Sequence, residues 1–299
     1  MKKILLSNLL IFIALIIFLE LSLKFFYFKE WSEGENCREK DANEIYFVLR
    51  PNCQLIHKSW EKKEPVKYFI NENGRRDYAQ YAQANEIMIA SFGDSFTFGA
   101  MSDIQENYNY LAIKYLNNEL VSLHNYGVAA QDAEQIISKI ENVDHNEYKY
   151  ILYGLTANDL YPLLDHDKKN FEKLSIKNLV YKSSILKFTI NLILKNDDQY
   201  ILAYLRRGKV KDYLKEDLSN EWKMAYSKFE LMINNLPAEI KQKLIVVIIP
   251  QQIQTILSKK DNEKSNLYFE KNIKKICLRL KIDCLAPDWP KFKEHKRVH

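Results

Sequence analysis

The sequence predicts an α/β fold in which a doubly wound, parallel sheet of about five strands lies between helices, in three layers. Two observations indicate it. Short apolar runs, typical of buried parallel strands, begin near residues 86, 121, 148, 244 and 282. Segments with helical spacing alternate with these runs, and strand–helix alternation with short links favours a parallel sheet. Such sheets carry their sites at the carboxyl ends of the strands, so the residues that end each run are the candidate site.

The pattern of residues 1–31 predicts a membrane segment at the start of the chain. Lys2 and Lys3 precede an apolar run, residues 4–19, and an aromatic cluster follows at residues 25–28. This stretch is long enough to span a bilayer, which takes about 20 mostly apolar residues, and the lysines favour a cytoplasmic N-terminus. The alternative is a cleaved signal peptide, but no small-x-small site follows the apolar core. We therefore expect an uncleaved anchor, with the rest of the chain periplasmic or otherwise outside the cytoplasm.

An extension, residues 32–85, separates this anchor from the predicted sheet. It contains Cys37 and Cys53, while Cys277 and Cys284 form a second close pair near the other end of the chain. Four cysteines allow three pairings, of which the local bridges Cys37–Cys53 and Cys277–Cys284 are the simplest. An exported chain permits disulfides, and reduced, buried thiols are the alternative. The cysteines form no Cys-x-x-Cys motif and no His pair lies nearby, so we expect no metal site.

The first apolar run ends at a serine. Residues 86–92 lead into Gly93, Asp94 and Ser95, and a segment with helical spacing follows at residues 108–116. The pattern predicts a strand, a tight turn and a helix, with the Ser95 hydroxyl at the carboxyl end of the strand. Free backbone N–H groups at a helix N-terminus favour a developing negative charge there. The alternative is that Ser95 is an ordinary N-cap.

The next two runs also end at glycine turns. Gly127 follows the second run, and Gly154 lies within the third; with Gly93 and Gly99 they make up four of the seven glycines in the chain. In a chain so poor in glycine, each is expected to answer a backbone need such as a positive φ or a close approach. Unrelated tight turns are the alternative.

These three strand ends resemble a known family in order and spacing. Gly-Asp-Ser-Phe-Thr-Phe-Gly at 93–99, Asn-Tyr-Gly at 125–127 and Gly-Leu-Thr-Ala-Asn-Asp at 154–159 are similar to the first three blocks of the SGNH (GDSL-type) hydrolases. The resemblance implies a flavodoxin-like sheet. It implies that Ser95 is the nucleophile. It also implies an oxyanion hole built from the backbone N–H groups of Ser95 and Gly127 and the side chain of Asn158.

A stretch before the first block carries a further resemblance. Asn71 to Arg76 has the form Asn-x-x-Gly-x-Arg, and membrane-anchored members of the family often carry a similar stretch at this place. The residues themselves indicate a strand that runs into a glycine turn. They do not indicate what the arginine does.

A long helical insertion, residues 160–243, precedes the fourth strand. Its residues 178–194 are strongly apolar with helical spacing. Two interpretations are open: a lid or substrate-binding subdomain that touches the membrane surface, or additional helical packing on the core. The strands at 244–249 and 282–287, with a helix at 267–280 between them, complete the predicted sheet.

The sequence lacks the expected base. A serine nucleophile needs a base, usually a histidine held by a carboxylate, and the family supplies both from one Asp-x-x-His motif late in the domain, here residues 86–299. Neither His295 nor His299 has an Asp three residues earlier. Three explanations are open. The domain is C-terminally incomplete, one of these histidines is the base with Asp288 or Glu294 assisting, or the protein binds without catalysis.

The charge pattern excludes one class of partner. The net charge of +5, from 44 Lys and Arg against 39 Asp and Glu, is mild and forms no basic stripe, so we expect no nucleic acid. His124, on the second strand, is expected to be a packed or hydrogen-bonded histidine. The resemblance implies an esterase without a cofactor, acting on O-acyl, chiefly O-acetyl, esters of cell-surface glycans. Alternatives are a lipid esterase, and a non-catalytic or acyl-transferring accessory protein of polysaccharide modification.

Overall fold

The chain is described from a computed structural model, in two compact units. The first is made by residues 1–32, 57–65 and 166–208, and the second by residues 33–56, 66–165 and 209–299. The structure describes residues 2–27, 31–34, 37–58, 64–77, 87–116, 118, 120–163, 183–185, 188–189, 220–250 and 268–286.

The first unit contains the N-terminal helix α1 (Lys2–Ser22), which continues as a π-helical turn, Leu23–Tyr27. The stretch Ser7–Phe26 has a mean hydropathy of 2.5 and is 6% buried, so it is long and apolar enough to cross a membrane, as a signal sequence also is. Glu20 on this helix accepts hydrogen bonds from Ser183 Oγ (3.0 Å) and from two backbone N–H groups, at residues 184 and 185. The carboxylate in the apolar helix is therefore paired with polar groups.

Five short strands precede the main sheet. β2 and β3 pair antiparallel, and β4 is hydrogen-bonded to β5. The Cys37–Cys53 disulfide, with Cα atoms 5.5 Å apart, confirms the first of the two expected bridges. It lies in an apolar cluster that also contains Tyr68, Phe98 and Val128, so the extension packs against the region of the first two strand ends. The strands are β1 (Trp31–Gly34), β2 (Arg38–Lys40), β3 (Phe47–Leu49), β4 (Gln54–Lys58) and β5 (Val66–Phe69).

The main sheet of the second unit has five parallel strands in the order β10-β9-β8-β6-β7. The first strand of this sheet lies next to one edge, with the second strand outside it and the third, fourth and fifth in order on its other side. This is the flavodoxin-like, doubly wound order, and it confirms the predicted fold class. The strands are β6 (Ile87–Gly93), β7 (Val121–Asn125), β8 (Tyr150–Leu155), β9 (Leu244–Ile248) and β10 (Asp283–Leu285).

Helices cover the sheet. α4 begins at a capping box, in which the Asp132 side chain accepts from Gln135 N at 3.0 Å. α5 carries the fully buried Trp222 and Phe229, and the Phe229 ring lies 6.1 Å from that of Tyr153 on β8. The helices are α2 (Ser95–Phe98), α3 (Tyr108–Leu116), α4 (Ala133–Asn142), α5 (Asn220–Asn235), α6 (Ala238–Lys243) and α7 (Tyr268–Leu280), with 3-10 turns at Ile104–Glu106 and Ala157–Leu163.

Helix α5 bears on the two interpretations of the predicted insertion, residues 160–243. Because its apolar face is buried against the sheet, α5 is additional core packing. The lid was expected within the same insertion, residues 160–243. Most of its residues 164–219 lie outside the described residues, so that interpretation stays a prediction.

The second expected disulfide is absent from this structure. Cys277 on α7 and Cys284 on β10 carry free thiols. A hydrogen bond between the two sulfurs raises the pKa of Cys277 and lowers that of Cys284. The packing of α7 beside β10 thus brings the sulfurs to hydrogen-bond distance without a bond, and the expected Cys277–Cys284 bridge is wrong for this state.

Candidate active site

Ser95 is the first residue of α2, immediately after the end of β6. The N-cap of this helix is Asp94, whose Oδ1 accepts a hydrogen bond from Phe96 N at 2.9 Å. The alternative interpretation, in which Ser95 is an ordinary N-cap, is therefore wrong, because Asp94 has that role. The Ser95 side chain is half-buried, at a strand–turn–helix junction of the kind expected.

Gly127 lies against the turn that carries Ser95. Val128 N donates to Gly93 O at 3.1 Å, which continues the pairing of β7 and β6 beyond the strand ends. A Cβ built on Gly127 would lie 2.4 Å from Phe98 N, a contact that no side chain tolerates. Only glycine fits this close approach. The Gly127 N–H donates to Asn125 Oδ1 at 2.9 Å.

Asn158 reaches the same turn from the other side. Gly93 and Gly154 are opposite each other in the β6–β8 register, and Asn158 follows β8 in the 3-10 turn. Its Nδ2 donates to Asp94 Oδ2 at 2.7 Å, and its Oδ1 accepts from Thr156 Oγ1 at 2.9 Å. These two contacts fix which end of the carboxamide is the donor. The structure thus brings Ser95, Gly127 and Asn158 to the carboxyl edge of the sheet, around one helical turn.

Asn125 is a site residue for which the sequence predicted no role. Its buried side chain bridges the first two strand ends: Nδ2 donates to Thr97 O at 2.9 Å, and Oδ1 accepts from Gly127 N. An asparagine two residues before a strand-end glycine was the available signal. The partner on the Ser95 helix was not visible, because it lies 28 residues away in sequence.

A pair of carboxyl groups lies beneath the turn. Asp94 and Asp159 are hydrogen-bonded to each other, and Thr156 Oγ1 lies 3.3 Å from Asp94 Oδ2 and 3.1 Å from Asp159 Oδ1. Complete burial, and then the Asp94 charge, raise the pKa of Asp159 well above its usual range. Burial also raises the pKa of Asp94, while hydrogen bonds from Phe96 N and Asn158 oppose that rise. We infer that Asp159 holds the proton and Asp94 the negative charge at neutral pH.

The structure describes His124 but not the two histidines that are candidates for the base. His295, His299 and their proposed partners Asp288 and Glu294 lie outside the described residues. His124 is buried, and its Nδ1 lies 2.8 Å from both Arg75 Nη1 and Tyr148 Oη, which confirms the expectation of a hydrogen-bonded histidine. Because a guanidinium only donates, Nδ1 accepts and the ring proton is on Nε2.

The ionisable side chains in the described part of the chain form no candidate metal site. His145, which precedes β8, has its Nε2 3.1 Å from Glu239 Oε1. Among the residues that the structure describes, no group of three or more His, Cys, Asp or Glu side chains is arranged to hold a metal ion.

Comparison with known proteins gives structural likenesses only. The sequence matches no protein-family model, and no curated protein matches it. Similar solved structures include AlinE4, an SGNH-hydrolase family esterase (12% identity, 73% of this chain and 88% of that chain, TM-score 0.36). A second is a member of the lipolytic protein G-D-S-L family from Veillonella parvula (16%, 67% and 77%, 0.33). A third is a catalytic mutant of Axe2, an acetylxylan esterase from Geobacillus stearothermophilus (15%, 71% and 80%, 0.36).

At these TM-scores the neighbours carry no functional weight. The strand order and the contacts around the Ser95 turn define the class directly: a doubly wound α/β protein with a serine at the carboxyl end of its first core strand.

Proposed function

We propose that the protein is a serine esterase of the SGNH type, with Ser95 as the nucleophile and Gly127 and Asn158 as oxyanion donors. One observation carries the proposal: residues from two other strand ends contact the single helical turn that begins with Ser95. The Cβ position of Gly127 is 2.4 Å from Phe98 N, and Asn158 Nδ2 is 2.7 Å from Asp94 Oδ2. A tetrahedral oxyanion requires backbone and carboxamide donors near the serine hydroxyl, and the contacts of Gly127 with Phe98 and of Asn158 with Asp94, the residue before Ser95, support these roles.

The proposed reaction is acyl transfer in two steps. Ser95 Oγ forms a bond to the acyl carbon of an ester while a base takes the hydroxyl proton. Collapse of the tetrahedral intermediate breaks the bond to the alcohol oxygen, which receives that proton, and the acyl group stays on Ser95. Water then attacks the acyl carbon while the base takes one of its protons, and collapse of the second tetrahedral intermediate breaks the bond to Ser95 Oγ. Ser95 Oγ receives that proton from the base, and the acyl group leaves as the carboxylic acid. The base is a histidine outside the described residues, for which His295 and His299 are the candidates.

Both proposed donors are engaged within the protein. Gly127 N–H donates to Asn125 Oδ1 at 2.9 Å, and Asn158 Nδ2 donates to Asp94 Oδ2 at 2.7 Å. Oxyanion binding requires these hydrogen bonds to be shared or exchanged as charge develops. A full oxyanion is a stronger acceptor than a neutral carboxamide oxygen, so exchange at Gly127 is favoured.

The same observation favours a second candidate function. A protein whose donors stay engaged would bind an acylated glycan at this site without turnover, as an accessory protein of polysaccharide modification. The two functions differ in whether acetate is released.

We propose O-acyl, chiefly O-acetyl, esters of cell-surface glycans as substrates, with the site outside the cytoplasm on a membrane-anchored chain. Two features support the location outside the cytoplasm on an anchored chain. The stretch Ser7–Phe26 is long and apolar enough to span a bilayer. The Cys37–Cys53 disulfide is a feature of oxidising compartments. Lipid esters, and transfer of the acyl group to a sugar hydroxyl instead of water, are the alternatives.

The test is acetate release from an acetylated polysaccharide by the full chain in detergent micelles. Wild type is compared with Ser95→Ala and with Ser227→Ala, which removes an exposed serine on α5 whose hydroxyl donates to Lys223 O at 3.0 Å. We expect Ser95→Ala to lose more than about 10³-fold and Ser227→Ala to lose nothing.

Three other results have defined meanings. Faster turnover of a long-chain ester than of the glycan identifies a lipid esterase, and acetate found on a second sugar identifies a transferase. Glycan binding with no acetate release in wild type identifies the accessory protein. Equal rates for wild type and Ser95→Ala would remove Ser95 from the mechanism.

A further inference from the structure

The loop after β5 has a fixed shape. Asn71 Oδ1 accepts hydrogen bonds from Asn73 N (3.0 Å) and Arg75 N (2.9 Å), which closes the turn around the asparagine side chain. Gly74 has a φ of +68°, and a Cβ there would lie 2.6 Å from Leu49 O. The turn therefore sets the directions in which Arg75 and Arg76 leave the loop.

Arg76 is bound to the end of the helical turn that carries Ser95. Its Nη1 donates to Phe98 O (3.0 Å) and Gly99 O (2.6 Å), and its Nη2 donates to Ser102 O (2.8 Å). The guanidinium also lies over the rings of Tyr68 and Phe98, 4.6 and 5.2 Å from their centroids. Only 3% of the residue is exposed. A buried cation with three carbonyl partners and two ring faces is held in one geometry.

Gly99 makes room for this guanidinium. It ends α2 in the left-handed conformation, with a φ of +79°. A Cβ at this position would lie 2.8 Å from Arg76 Nη1. The last glycine of the first block is thus explained by the arginine of the extension as well as by the helix end.

Arg76 completes the set of partners for the carbonyl groups of α2. The last carbonyls of a helix lack partners within the helix, and a helix of one turn has little stability of its own. Ser95 O and Phe96 O accept from backbone N–H groups of the turn itself, and Thr97 O accepts from Asn107 and Asn125 side chains. Phe98 O accepts from Arg76, and Gly99 O accepts from Arg76 as well as from Ser102 N and Oγ. The positive charge of Arg76 at the C-terminal end of α2 also interacts favourably with the helix dipole.

The same loop braces the second strand end. Asp77 Oδ1 accepts from Asn125 N at 2.6 Å, and its Oδ2 lies 2.9 Å from Arg75 Nε. Asn125 in turn holds both Gly127 N–H and Thr97 O. One loop of the extension therefore contacts both elements that flank the proposed oxyanion hole.

We propose that Arg76 is a positioning residue for the Ser95 nucleophile, acting as a clamp on the carbonyl end of the helical turn that begins with Ser95. This inference rests on the proposed function of Ser95. Without the Arg76 contacts the turn can shift, and the Ser95 hydroxyl shifts with it. A displacement of the nucleophile by about 1 Å costs on the order of 10²-fold in rate. We expect Arg76→Met to lower kcat by about 10- to 100-fold with KM nearly unchanged, because the donors and the substrate contacts remain present.

The test compares three variants of the full chain in detergent. Arg76→Lys retains the charge but not the fork, and we expect it to recover only part of the lost kcat. Arg38→Met is the matched control, because Arg38 also comes from the extension, lies 4.4 Å from the Phe47 ring centroid and donates to one carbonyl, Ala129 O, at 2.9 Å. Its partner carbonyl is outside α2, so we expect kcat to stay within about twofold of wild type.

A second readout does not depend on activity. Amide hydrogen exchange of residues 96–102 should accelerate in Arg76→Met and stay unchanged in Arg38→Met, since only the former frees the turn. Unchanged kcat and exchange in Arg76→Met would overturn the clamp, as would an equal loss of kcat in both variants. An inactive wild type with faster exchange in Arg76→Met would instead overturn the proposed esterase function and leave the clamp standing.

Discussion

Asn158 Nδ2 donates a 2.7 Å hydrogen bond to Asp94 Oδ2, and this contact joins the end of the third core strand to the turn that carries Ser95. The two residues are 64 positions apart in sequence, yet Thr156 and Asp159 add contacts to the same carboxylate. A carboxamide held at both ends has one orientation. The contact therefore sets where the Asn158 donor lies relative to the Ser95 hydroxyl.

Replacing Asn158 tests its proposed role as a donor. We expect Asn158→Ala to lower kcat by about 10²- to 10³-fold, the usual effect of removing one oxyanion donor. Asn158→Asp should be at least as slow and also less stable, because it sets a second carboxylate against Asp94. Asn142→Ala, which removes an exposed carboxamide at the end of α4, is the control and should be fully active. A fully active Asn158→Ala enzyme would exclude the carboxamide from the oxyanion hole.

The buried carboxyl pair predicts a pH-dependent effect on stability. The pKa of Asp159 is raised above 3.8, so the folded protein keeps a proton that the unfolded chain releases above that pH. The free energy of unfolding of wild type therefore falls as pH rises from about 3.8 toward the folded pKa. Asp159→Asn lacks this loss, so its stability relative to wild type should rise between pH 4 and pH 8. Urea unfolding at both pH values measures it.

The control for this experiment is Asp283→Asn, at an exposed position on β10. Its stability difference from wild type should be the same at pH 4 and pH 8. A relative stability of Asp159→Asn that is also independent of pH would show that Asp159 is ionised in the folded protein.

Gly127 predicts a steric effect on both folding and rate. A methyl group at this position meets Phe98 N at 2.4 Å, and a backbone atom moves only with the whole turn. We expect Gly127→Ala to cost about 1–3 kcal/mol of stability and to slow the folded enzyme at least about tenfold. Ester turnover per folded molecule, with the folded fraction taken from denaturant curves, separates the two effects. Wild-type turnover in the folded variant would show that Gly127 does not govern the position of the turn.

The disulfide of the extension should contribute to the free energy of unfolding, and a reducing agent should remove that contribution. A bridge that closes a loop of about 15 residues contributes about 3 kcal/mol in the chain-entropy view, and Cys37 and Cys53 are 16 positions apart. We expect Cys37→Ser to lower the free energy of unfolding by about that amount, and dithiothreitol to have the same effect on wild type. Cys277→Ser, at a free thiol, should not abolish the effect of dithiothreitol; if it does, the reducible bridge involves Cys277.

The sequence predicted the features that are local and periodic. Buried apolar runs gave the five strands of the sheet, and the residues at their carboxyl ends gave Ser95, Gly127 and Asn158, which the fold brings to one edge. The topology follows because alternation and right-handed crossovers leave few arrangements of five parallel strands. Strand bounds differed by one or two residues, as for β8, which begins at Tyr150 and not at residue 148.

The features that escaped the sequence are long-range polar contacts. Arg76 gave no sign of its target, because its carbonyl partners belong to the backbone, and a backbone acceptor leaves no mark in the sequence. Asn125 was visible as a motif residue, but its second partner was not. Cysteine spacing likewise predicted the Cys37–Cys53 bridge but did not distinguish it from the pair Cys277 and Cys284, which are free thiols, because spacing does not show how two side chains face each other.

The most direct measurement of the central claim is covalent labelling of Ser95 by a fluorophosphonate, read as the intact mass of the full chain in detergent and then by peptide mapping. The predicted result is one phosphonyl group per chain on Ser95, no label in Ser95→Ala and slower labelling in Asn158→Ala than in Asn142→Ala. No adduct on wild type, or equal labelling of wild type and Ser95→Ala, would contradict the claim that Ser95 is the nucleophile.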